Sequence, residues 1–307
     1  IPNEMLDKNR WEDFNDKVSQ FISILTENGI GVSRSSGKAI LGDLSQTGAI
    51  EQYLTFEFRK EKSVMMDIYL EDNDFKVGDN YLSCFSIGNL EELPSNVHNY
   101  LKDPTYSHNK VFFPMSYTSH LAWGIPFSHI YNQYFFLDDS KQILADVERC
   151  GRQQQSLSAV SRENSINREF NEQFLNEAVS KGLKPIRAAV NVLIWDKNYN
   201  NLVKKKSLVA AKLSELDICV SQTSVITPQI YWAGIPGGES QYPSEMTFLT
   251  FLEPASCFIH PETCAKPREI SFGIKLCDRL NAIPLKVDIS DLPMKKSWIN
   301  NRNKFIL

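Results

Sequence analysis

Three short stretches of this 307-residue chain hold side chains at spacings that chemistry can use. The first is Gly31-Val32-Ser33-Arg34-Ser35-Ser36-Gly37-Lys38-Ala39. A phosphate-cradling loop reads G-x-x-x-x-G-K-[ST]; its backbone amides and lysine hold phosphates and its hydroxyl holds magnesium. Here five residues separate the glycines, Ala39 stands where the hydroxyl belongs, and a helical pattern precedes it. The stretch therefore reads as a loop that holds no nucleotide. The second is Cys257-x2-His260-x3-Cys264 with Cys277 thirteen positions later, four nitrogen and sulfur groups that could complete a tetrahedral zinc site, though at the spacing of no standard finger. The third, Lys204-Lys205-Lys206, reads as a solvated helix face ahead of a nucleic-acid contact.

Nucleophilic catalysis has little to stand on. His98, His108, His120, His129 and His260 are scattered, and neither a G-x-S-x-G elbow nor an H-E-x-x-H helix occurs. Adjacent carboxylates such as Asp138-Asp139 and Glu71-Asp72 lie in loop-like sequence, where adjacency does not make an acid–base pair. No catalytic, cofactor-binding or metal-ligating residue is assigned. The competing reading is a self-contained enzyme or zinc module built on Cys257, His260, Cys264 and Cys277.

The elements that would position such groups follow from pattern. With 42% hydrophobic and 23% charged residues, the composition is that of a globular protein, which excludes disorder as the overall state. No apolar run approaches the roughly 20 residues of a membrane span. Six irregularly spaced cysteines fit a reducing compartment. Residues 266–304 hold nine Lys/Arg against four Asp/Glu, a balance of +5 in a chain of net charge −4, so a basic end adjoins an acidic body. Trp11, Phe14, Val18, Phe21, Ile22 and Leu25 recur at helical spacing over residues 11–28. Strands are expected at Tyr53–Phe58, Ser63–Leu70, Tyr81–Ile87 and Tyr134–Leu137. A polar stretch from Asp138 to Lys184 carries an intermittent apolar stripe and reads as two helices or one long broken helix, ended by Gly182 and Pro185. Beyond it come a near-continuous apolar strand, Arg187–Trp195, interrupted only by Asn191, a helix at Tyr199–Leu216, strands at Ile218–Thr223 and Thr247–Phe258, and a hairpin of Ser271–Leu276 with Ile283–Ile289.

These elements predict an α+β fold of open mixed sheets with helices packed on one face. They divide into residues 1–137, the helical segment 138–184, and a strand-helix-strand and hairpin part at 185–307. The chain starts at Ile1 and closes on the apolar Phe305-Ile306-Leu307, the texture of a buried strand ahead of a phosphate loop, so it is expected to be a piece of a longer protein.

Ser290-Asp291-Leu292-Pro293-Met294-Lys295-Lys296, followed by Asn300-Asn301-Arg302-Asn303-Lys304-Phe305, resembles the segment before the Walker A loop in the TraG conjugation ATPases of Bacteroides-type conjugative transposons, within the type IV secretion ATPases. Phe272–Arg279 resembles that family's strand and Asp-Arg turn. Tyr231-Trp232-Ala233-Gly234-Ile235-Pro236-Gly237-Gly238 resembles its corner motif, with Gly238 in place of the customary Asn, and Thr247–Thr250 the strand start that follows. The likeness spans about residues 180–307. It implies a parent that hydrolyses ATP with magnesium at the cytoplasmic face of the inner membrane. It further implies that this region, with Walker A and B absent, docks the motor to inner-membrane channel components and aids homo-oligomerisation without a cofactor or small-molecule substrate of its own. Nucleic acid is the least favoured partner, since the body is acidic.

Overall fold

The computed structural model describes residues 8–260 apart from 29–31, 44–46, 57–66, 72–73, 89–91, 95, 103–106, 108, 110–113, 123, 158–160, 220–221 and 224, and beyond them the strands at 274–277 and 284–287. In chain order, α1 is Lys8–Glu27, α2 Gly37–Leu41 and α3 Ala49–Thr55; β1 Ile68–Glu71, β2 Asp74–Val77 and β3 Asn80–Ile87 follow. Next come β4 (Leu101–Lys102), β5 (Pro114–Met115), α4 (Ser119–Ala122), β6 (His129–Phe136), α5 (Ser140–Leu157) and α6 (Arg162–Lys181). The remainder is β7 (Pro185–Asp196), α7 (Tyr199–Ser214), β8 (Gln222–Thr223), α8 (Thr227–Ala233), β9 (Phe248–Phe251), α9 (Leu252–Ser256), β10 (Ile274–Cys277) and β11 (Pro284–Val287). Two compact units form, residues 50–262 and residues 1–49 with 263–307.

The larger unit is built on β7. Strand order is β1-β2-β3-β7-β6, with β8 also on β3 and β9 also on β7. Strands from both sides of the 138–184 segment thus share one sheet. Every described pairing is antiparallel, where mixed sheets were expected. One registration matters below: Asn191 lies directly between Ser86 on β3 and Asn132 on β6.

The sequence of β7 explains its place. Its apolar run is buried on both faces, as a central strand demands. Val190, Val192 and Ile194 join Leu202, Val209 and Leu213 of α7 in one core. Ala189 and Leu193 join Tyr53 of α3 and Ile230 and Tyr231 of α8 in a second. Helices therefore cover both faces, which corrects the expectation of one: a strand with no polar side has no face to leave wet.

The 138–184 segment is two helices. Ser161 caps α6, its hydroxyl accepting from the Glu163 N–H, and Gly182 ends it in the left-handed conformation at φ +64°. Asn171 ties the pair by donating to Gln154 across 2.8 Å. Ile143 and Val147 of α5 and Ala178 of α6 are buried, and Phe174 stacks on Phe251 of β9 with ring centroids 4.4 Å apart.

Three expected strands differ: of Ile218–Thr223 only Gln222–Thr223 is strand, with 220 and 221 outside the described residues. The alternation at Tyr53–Phe58 is the end of α3, which buries Tyr53, while 57 and 58 lie outside the described residues. Thr247–Phe258 is strand only to Phe251 and then turns into α9. In the smaller unit α1 forms as expected, but no residue of it is buried. The hairpin appears as β10 with β11, antiparallel from Ile274 opposite Val287 to Cys277 opposite Pro284.

Candidate functional site

The glycine–lysine loop is committed to local structure. Ser36 caps α2, accepting from the Ala39 N–H at 3.2 Å, and Lys38 lies 3.7 Å from the Asp43 carboxylate. Arg34 lies against α1, donating to Asn15 Oδ1, the Asn15 carbonyl and Ser19 Oγ at 2.9–3.2 Å.

Of the four zinc candidates, the side chains of Cys257 and His260 lie among the described residues. The Cys257 thiol donates to Asn99 Oδ1 at 3.3 Å, and burial pushes its pKa up, away from the thiolate that a metal needs. His260 Nδ1 lies 3.1 Å from Ser116 Oγ instead. Cys264, and the side chain of Cys277, lie outside the described residues. No three His, Cys, Asp or Glu side chains gather to hold a metal among those described.

Two other histidines make local contacts. His120 Nδ1 sits 3.0 Å from Glu215, and His129 Nδ1 is 2.8 Å from the Phe127 carbonyl. Burial holds the His129 imidazole below its ordinary pKa, against the pull of backbone carbonyls. His108 and Asp72 lie outside the described residues, and Asp139 accepts from the Lys141 N–H at the start of α5.

The lysine run is not a uniformly wet face. Lys205 turns inward, donating to the Trp195 carbonyl at 2.7 Å, meeting Asp196 Oδ2 at 2.8 Å and lying 5.0 Å from the centre of the Phe127 ring. Lys206 lies over Tyr199. Both serve the turn between β7 and α7.

Pattern reasoning missed a polar layer inside the second core. Asn132 donates to Asn191 Oδ1 at 3.1 Å, and the Ser86 and Tyr242 hydroxyls are 3.0 Å apart. Tyr242 lies on Tyr134, ring centroids 4.6 Å apart. The Asn191 amide nitrogen and the Tyr134 hydroxyl are buried without a hydrogen-bond partner. Burial pushes the Tyr242 phenol up to about 12, with Ser86 offsetting part of the rise, and Tyr134 further. Such phenols stay protonated at neutral pH, so each enters the layer as an O–H group. Its one legible sign was Asn191 breaking an apolar run.

The corner motif packs against this layer. Tyr53 donates to the Tyr231 carbonyl at 2.8 Å, and its ring stacks on Tyr231 at 5.1 Å. Gly237 takes φ +95°, and its N–H donates to Glu239 Oε1 at 3.0 Å. At Gly238 a Cβ would meet the Trp232 carbonyl oxygen at 2.7 Å, so this corner is wound too tightly for the customary Asn.

Against known proteins, residues 273–307 match the TraG P-loop domain family. This end of the chain is similar to the TraG-type conjugation ATPases. A search of curated proteins found no match. The TraG match includes β10, β11 and the Ser290–Phe305 stretch; the corner motif and Thr247–Thr250 lie outside it. No G-x-x-x-x-G-K-[ST] sequence occurs in the matched residues or elsewhere in the chain. Among the described residues no helix is long and apolar enough to cross a membrane.

Proposed function

We propose that this chain is the non-catalytic forward region of a conjugation motor, docking the ATPase to inner-membrane channel components and aiding its oligomerisation. The observation that carries the reading is the TraG P-loop match at residues 273–307 in a chain without the phosphate-binding loop itself. The parent would belong to a conjugative transposon of Bacteroides type and sit at the cytoplasmic side of the inner membrane, with ATP and magnesium bound by parts outside this sequence. Antiparallel sheet and helical hairpin supply surface. Titration calorimetry with magnesium ATP is the test: no saturable heat is expected from the 307-residue chain. Stoichiometric nucleotide binding would overturn the reading. Co-purification with inner-membrane channel components, tested one at a time, checks the docking role.

A further inference from the structure

Natural sheets blunt their edges, because a strand with unpaired N–H and C=O groups templates another. One edge of the large sheet is β1, only four residues long and ending in Glu71. The other is β6, whose eight residues His-Ile-Tyr-Asn-Gln-Tyr-Phe-Phe pair with β7 in unbroken register and include no proline, glycine, lysine or carboxylate. Among the described residues β6 bonds to a strand on one side only. Among the described residues it carries no proline, bulge, lysine or carboxylate to blunt it, although Tyr131 and Gln133 bond through their side chains to the Phe258 and Ala255 carbonyls.

We propose that β6 is a strand-addition edge whose occupant is β6 of a second copy, antiparallel about a two-fold axis at Gln133. The inference rests on the oligomerisation half of the function proposed above and names its surface. A two-fold axis perpendicular to the sheet keeps every residue on its own face, so opposed residues must be an even number apart. With the axis at Gln133, Ile130 faces Phe136 and Tyr131 faces Phe135, apolar pairs of the kind that stabilise antiparallel ladders. Asn132 then faces Tyr134, and Gln133 faces its own copy. Apolar meets apolar and polar meets polar along the strand, with no like charges opposed. Ile130, Tyr131, Phe135 and Phe136 are each half-buried, which leaves apolar surface for the second strand to cover.

Light scattering of the full chain over a concentration series tests this, the expected mass rising to twice 35.1 kDa. Gln133→Lys and Gln133→Glu each place like charges across the axis, and each is expected to weaken the dimer by about tenfold or more. Mixing the two variants sets Lys against Glu and restores it. Gln133 donates to the Ala255 carbonyl at 2.8 Å, so either variant also loses a native bond; recovery on mixing separates lost pairing from lost folding. A wild-type chain that is monomeric throughout overturns the proposal together with self-association of this region. A dimer that neither charge weakens overturns the β6 assignment alone and leaves the oligomerisation reading standing.

Discussion

The Tyr53 hydroxyl occupies the space that a Cβ at Gly234 would need: a methyl group built there falls 2.2 Å from it. The same hydroxyl donates to the Tyr231 carbonyl one turn earlier, so a single side chain from α3 clamps the end of α8 from two directions. The glycine of the corner motif is therefore required by a close approach. Its φ is −76°, open to any residue.

Gly234→Ala is expected to destabilise the protein by about 2–3 kcal/mol, the range for overpacking a filled core. Tyr53→Phe alone should cost about 1 kcal/mol through the lost hydrogen bond. The alanine should then cost less in the Tyr53→Phe background. Urea midpoints of the four proteins measure this coupling, and strictly additive effects would contradict the clamp.

Asn191→Leu removes the acceptor for Asn132 and strands a donor, at a cost of about 1–3 kcal/mol. Replacing both with apolar residues removes donor and acceptor together. The Asn132→Leu, Asn191→Leu double variant should therefore be more stable than the sum of the singles predicts. A double-mutant cycle read by chemical denaturation gives the answer.

The Asp196 carboxyl is held below its ordinary 3.8, first by the Lys205 ammonium and then by the Asn198 N–H. The folded protein binds fewer protons there than the unfolded chain, so the stabilisation is full above that value and fades as pH falls through it. Asp196→Asn should cost about 0.5–1 kcal/mol at pH 7, solvent screening keeping it small, and less at pH 2. Melting temperatures at the two pH values compare directly.

His129 works in the same direction at higher pH. Burial depresses its imidazole below the ordinary 6.5, so its neutral form favours folding above that value, and stability declines as pH falls below it. Exchanging His129 for Gln should flatten the decline in stability as pH falls below 6.5. An unchanged slope would mean that another group carries it.

Much of this fold could be read from single segments, and what failed did so for identifiable reasons. The apolar run of β7, the stripe on α1 and the Gly182 stop of α6 are local signals, and each appears where expected. Phe56 and Phe58 fit a strand alternation, while Tyr53 and Phe56 fit a helical i, i+3 spacing. Too few residues separate the two periods, and the helix prevails because it buries Tyr53 and stacks Phe56 on Trp195. The polar layer was visible as one interruption at Asn191; its partner Asn132 is 59 residues away, beyond any local pattern. Lys205 resembled its neighbours until the fold placed Asp196 and the Trp195 carbonyl beneath it.

The position of β7 sets an order of events during synthesis. Strands β3 and β6 meet through β7 and not through each other, so β6 has no strand partner, and β3 only β2, until β7 has left the ribosome. At about 5–20 residues per second, Ile87 waits about 5–20 s for its partner Val190. During that interval the nascent chain carries β3 and the aromatic β6 with their ladders to β7 unfilled. Those seconds are when chaperone capture, and mispairing between chains on one polysome, compete with the native sheet.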